Sequence, residues 1–135
     1  MAAKSPARLW LTVLGFVLLA VALLGLVQAA VDLLHKVPMH IEAGEDALHW
    51  LLAIVTLGLA YGVKDEALLA TLSIAYGVVY LVVGVLGFFV ATVGPWHVAV
   101  ADDVLHLILG LVTLGAGMAS RKQVAGMPAA RTRAA

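Results

Sequence analysis

No cysteine occurs among the 135 residues, which excludes disulfides and thiolate metal ligands together and leaves the redox compartment unread. Charge is nearly as scarce: 12% of residues are charged, against roughly 25% in soluble domains. The middle of each long apolar run lacks Asp, Glu, Lys, Arg and His altogether. Ionisable groups deep in a span mark ion and proton paths, so this absence speaks against conduction or pumping. A Gly-rich nucleotide loop and a nucleophile paired with a base are missing too, so the chain is not expected to be an enzyme. Nucleic acid is not an expected partner.

What the chain does have is hydrophobicity. Hydrophobic residues make up 64% of it and mean hydropathy is strongly positive, which places it in the bilayer as a single transmembrane domain. Four spans are expected, at 9–31, 47–63, 67–93 and 104–119. The first and third are long enough for a hydrocarbon core of about 30 Å; the second and fourth are short and call for local thinning or little tilt. The first span, preceded by Lys4 and Arg8 and ending in "VQAAV", also has the outline of a signal peptide. It is read as a true helix because it has a counterpart later in the chain.

The formal net charge of zero hides an asymmetry. Lys4, Arg8, Lys64, Arg121, Lys122, Arg131 and Arg133 lie on one side of the spans with Asp65 and Glu66. Asp32, Glu42, Glu45, Asp46, Asp102 and Asp103 lie on the other with Lys36. The positive-inside rule puts both termini in the cytoplasm and every histidine on the outer side of an inner membrane.

The sequence is written twice. Aligning His40 with His97 matches Asp46 to Asp103, His49 to His106 and "VTLG" at 55–58 to "VTLG" at 112–115. Upstream, "GFVLLAVALLG" (15–25) answers "GVVYLVVGVLG" (77–87), with a short insertion around "DLLHK" that holds the unmatched His35. Two repeats, about 9–63 and 67–119, each contain two spans and so enter the membrane in the same sense. The expected fold is an all-α four-helix bundle of two parallel repeats around a pseudo-twofold axis along the membrane normal. On the second and fourth helices His49, Ala53, Thr56 and Ala60, and His106, Gly110, Thr113 and Gly117, fall on one face. In lipid, small residues mark closely packed faces, so these two helices are expected to face each other with their histidines converging. Gly58 and Gly62, in GxxxG spacing, fit core packing better than dimerisation.

Asp46 and Asp103 precede apolar runs, where a carboxylate caps free backbone N–H groups and complements the positive helix end. His49 and His106 would then hydrogen-bond in the first turn. The sharper alternative is a ligand site: Asp and His at i and i+3 share a face, so Asp46, His49, Asp103 and His106 could hold a divalent metal, with His40 and His97 within reach. A single haem between His49 and His106, with Ala53 and Gly110 leaving room for the ring, is its other form.

At "LHWLLAIVTLG" and "ADDVLHLILGLVTLGAG" the chain resembles a bacterial family of small four-helix membrane proteins catalogued as a domain of unknown function, number four-three-eight-three. The likeness covers nearly the full length. Asp103, Leu105, His106 and Gly110 match its second half closely, while Glu45, Asp46 and Ala53 depart from its first. The resemblance implies fold and topology and carries no activity. The expected role is a structural or accessory subunit of a larger inner-membrane complex, contacting lipid and other membrane subunits. A small haem or metal carrier is the alternative. Residues 120–135 are expected to form a basic cytoplasmic tail.

Overall fold

A computed structural model describes residues 4–32, 43–90, 92–93, 96–97 and 100–126. It holds four helices: α1 (Pro6–Asp32), α2 (Ala43–Gly62), α3 (Glu66–Gly87) and α4 (Val100–Ala125). A two-residue antiparallel ladder, β1 (Thr92–Val93) with β2 (Trp96–His97), lies between α3 and α4. Local chemistry accounts for several of the ends. Pro6 opens α1, where a missing N–H costs nothing. Asp65 caps α3, accepting from the amides of Ala67 at 2.8 Å and Leu68 at 3.1 Å. Asp102 and Asp103 at the start of α4 and Lys122 in its last turn complement the helix dipole.

The expected boundaries need three corrections. The third span stops at Gly87 and not at 93, because the following residues turn into the β ladder. The fourth runs from Val100 to Ala125, so it is long enough to cross a membrane, and the first residues of the expected tail are helical. The other tail residues, 127–135, lie outside the described residues. Three helices, Pro6–Ala30, Glu66–Gly87 and Val100–Ala125, are long and apolar enough to span a bilayer. The chain is therefore a membrane protein by its helices. α2 contributes a shorter apolar stretch, Asp46–Gly62.

The helices associate as two close pairs, α1 with α2 and α3 with α4, and α1 also touches α4 and α3. The α3–α4 seam is backbone against backbone. A Cβ on Gly77 would stand 2.5 Å from the Leu114 nitrogen and 2.9 Å from the Gly110 carbonyl oxygen. One on Gly110 would stand 2.9 Å from the Leu81 nitrogen, and Gly117 meets Ile74 in the same way. Lipid supplies no hydrophobic drive between helices, so the close van der Waals packing that these glycines permit helps hold the pair together. The α1–α2 seam is looser, with Gly15 meeting the Leu57 side chain.

Between the pairs, Leu14, Leu18, Ala53 and Tyr80 form one buried cluster and Ala7, Leu11, Ala60 and Leu69 another. Ala53, Thr56 and Ala60 are thus buried against α1 and α3, and Gly110 and Gly117 against α3. This overturns the expectation that α2 and α4 face each other: among the described residues these two helices share no comparable contact. The small side chains are where the sequence places them, but they receive α1 and α3.

Candidate functional site

The residues singled out by sequence gather at one end of the bundle. α2 and α4 begin three residues before Asp46 and Asp103, so each aspartate sits inside the first turn and does not occupy the capping position. Their carboxylates point sideways. Asp46 lies over Gly25 of α1 and Asp103 over Gly87 of α3, each so close that a methyl on the glycine would overlap it. Asp103 is 1% exposed, and its Oδ1 has no hydrogen-bond partner; Asp46, half-buried, leaves its Oδ1 unpartnered too.

His106 faces α3. Its Nδ1 lies 2.7 Å from the backbone oxygen of Asp102, so that nitrogen carries the proton and donates. Its ring stacks on Tyr80 with centroids 5.7 Å apart and planes at 29°. His49 is half-buried on α2 with an unpartnered Nδ1, and Gln28 on α1 has an unpartnered Nε2. No hydrogen bond joins His49 to His106 among the described residues. His97 is in β2, paired by its backbone with Thr92, and nothing is described of its side chain. His40 and His35 lie outside the described residues.

Three or more His, Asp or Glu side chains do not come together as a metal-holding group among the described residues. The proposed quartet of Asp46, His49, Asp103 and His106 is thus not assembled, because its halves stand on helices that pack against other partners. The small residues expected to flank a haem are packed by protein side chains. Gly110 is covered by Leu81, and Ala53 is packed against Leu14, Leu18 and Tyr80.

Two polar systems escape the sequence reading. The first runs through the bundle's middle. Tyr76 hydrogen-bonds Thr56 at 2.9 Å and reaches Tyr80 at 3.5 Å, with the tyrosine rings edge to face. Trp10 Nε1 donates to Thr113 Oγ1 at 2.8 Å, that hydroxyl donates to the Leu109 carbonyl at 2.6 Å, and Ser73 donates to the Thr113 carbonyl at 3.0 Å. The threonines stand out in the small-residue stripes, but their aromatic partners carry no spacing signal.

The second closes the basic end. Arg8 Nε donates to Glu66 Oε1 at 2.7 Å, and its other nitrogens donate to the Ala60 and Val63 carbonyls. Ser5 donates to the second Glu66 oxygen, and the Ala7 amide donates to Ser120 Oγ at 2.7 Å. One guanidinium therefore satisfies carbonyls at the end of α2 that have no helical partner while tying α1 to α3. The one available hint was an acid, Glu66, on the side of the chain otherwise dominated by Lys and Arg.

Comparison with known protein families, with curated proteins and with solved structures found no match.

Proposed function

We propose that the chain is a structural or accessory subunit of a larger bacterial inner-membrane complex, with both termini cytoplasmic and no catalytic activity of its own. The reading treats it as a duplicated hairpin with a pseudo-twofold axis. Support comes from contacts that recur at aligned positions. Gly25 seats Asp46 and Gly87 seats Asp103; Gly15 meets Leu57 and Gly77 meets Leu114. Thr56 and Thr113 each bond an aromatic side chain from the other half, Tyr76 and Trp10.

The observation that carries the role is the open face of α2. Gly58 and Gly62 have nothing within 4 Å of where a Cβ would stand, and Leu51, Ile54 and Tyr61 are exposed around them. This is the one helix whose apolar stretch is short, about 26 Å at 1.5 Å per residue. A notch of small residues on a short helix suits a neighbouring membrane helix, which gains close contact that a lipid chain does not provide. Gentle solubilisation of native membranes followed by affinity purification is the test. Co-purification of a partner subunit that is lost on Gly58→Leu supports the role. A protein that runs alone in mild detergent and crosslinks to nothing through Tyr61→Cys refutes it.

A second reading is favoured by the unpartnered Oδ1 of Asp46 and Nδ1 of His49: a small metal carrier, with this pair as part of the ligand set. Metal analysis of the purified protein decides it. Stoichiometric metal lost on His49→Ala would replace the accessory role, and metal-free protein would remove the carrier.

A further inference from the structure

At the basic end the outer flank of the α3–α4 pair carries a trough of about 270 Å³, lined by Ile74, Met118, Arg121, Lys122 and Ala125. Its depth is set by helix length. The 26 residues of α4 span about 39 Å, some 9 Å more than a hydrocarbon core. With Asp102 and Asp103 at the opposite boundary, the turn holding Arg121 and Lys122 reaches the headgroup layer. Met118 lies a turn deeper.

Both basic side chains are exposed, and neither joins an ion pair among the described residues. The two acids of this end are otherwise engaged, Glu66 by Arg8 and Ser5 and Asp65 as the cap of α3. What remains is uncompensated positive charge at the mouth of an apolar trough.

We propose that this trough seats one anionic phospholipid. The phosphate lies between the Arg121 guanidinium, whose planar fork matches two phosphate oxygens, and the Lys122 ammonium. An acyl chain runs inward along Met118 and Ile74. Basic pockets beside helices at this level hold anionic headgroups, and the apolar wall distinguishes a lipid from free phosphate, which would gain nothing from it. The inference rests on the membrane reading and is independent of the accessory role, since the seat is complete within one chain.

The test is native mass spectrometry of the full chain released from nanodiscs of mixed phosphatidylglycerol and phosphatidylcholine. One phosphatidylglycerol is expected to stay bound in preference to phosphatidylcholine. R121Q/K122Q should reduce that preference about 25-fold, about fivefold for each basic residue. Met118→Trp, which fills the trough and leaves both charges, should expel the lipid. Lys4→Gln with Lys64→Gln should retain it, and millimolar inorganic phosphate should not displace it. Equal retention of both lipids by the unaltered chain overturns the proposal, as does persistence of the preference in R121Q/K122Q or in Met118→Trp. Loss in the Lys4/Lys64 variant, or displacement by phosphate, overturns it too.

Discussion

The carboxylate of Asp103 lies directly against Gly87, an aspartate in the first turn of α4 seated on the last residue of α3. Its partner across that contact has no side chain, and its buried Oδ1 has no donor. Gly87→Ala forces the two apart. Overpacking at a site this enclosed costs about 1–3 kcal/mol. Gly25→Ala meets Asp46, which is half-buried where Asp103 is fully buried, and should cost less. Thermal unfolding in detergent of both single variants measures the difference. Asp103→Ala should recover most of the Gly87→Ala loss in a double-mutant cycle, and strict additivity would show that the two residues do not meet.

Arg8→Ala strips donors from two carbonyls and leaves Glu66, partly buried, without its cation. The expected loss is about 2–4 kcal/mol. Arg8→Lys should restore the ion pair but not the fork across Ala60 and Val63, and so recover only part of it. Unfolding of the three proteins in one detergent provides the ranking, and an Arg8→Ala variant as stable as the parent would contradict the clasp.

Gly77→Ala and Gly110→Ala test the α3–α4 seam. At Gly77 the opposing atoms are all backbone and cannot rotate away, and at Gly110 the Leu81 backbone nitrogen stands as close as the Leu81 side chain, so each variant should lose about 2 kcal/mol and weaken the pair, Gly77→Ala the more. Gly58→Ala and Gly62→Ala face open space and should be neutral or slightly stabilising, since alanine is the better helix former by about 1 kcal/mol. A reversal of this order would show that the seam is placed on the wrong faces.

The architecture was more legible than the contacts. Four apolar runs appear in the sequence because partitioning into lipid depends on composition alone. The ends were harder to read: polar residues such as Asp46 and Asp103 continue helices through the headgroup layer, so hydropathy places each start several residues late. Which face meets which helix was harder still. Exterior and interior of a membrane bundle are both apolar, so His49 and His106 could be assigned to a common end but not to their neighbours. Tyr80, which packs on Ala53 of α2 and stacks on His106 of α4, stands in an apolar run with no spacing signal that marks it as interior. Arg8 was read for topology by its charge, whereas its role depends on carbonyls that no sequence displays.

Trp10→Phe keeps an aromatic ring, though a smaller one, and removes the donor to Thr113 Oγ1. A loss of about 1 kcal/mol is expected, the net worth of one such bond. Thr113→Val, which also removes the donor to the Leu109 carbonyl, should cost at least as much. Coupling between the two variants, read from a double-mutant cycle, checks that the bond exists; zero coupling would place the indole elsewhere.

The bond from the Ala7 amide to Ser120 Oγ has a consequence for biogenesis. It joins residues separated by 113 positions, one at the start of the first helix and the other in the final turns of the last. Helices leave the ribosome in order, so this link is the last to form. A chain interrupted before α4 has its leading end clasped to α2 and α3 through Arg8 and Ser5, but not yet to the last helix. Closure of the bundle thus waits on the final turns of α4, and a product that lacks them is distinguishable by its open seam.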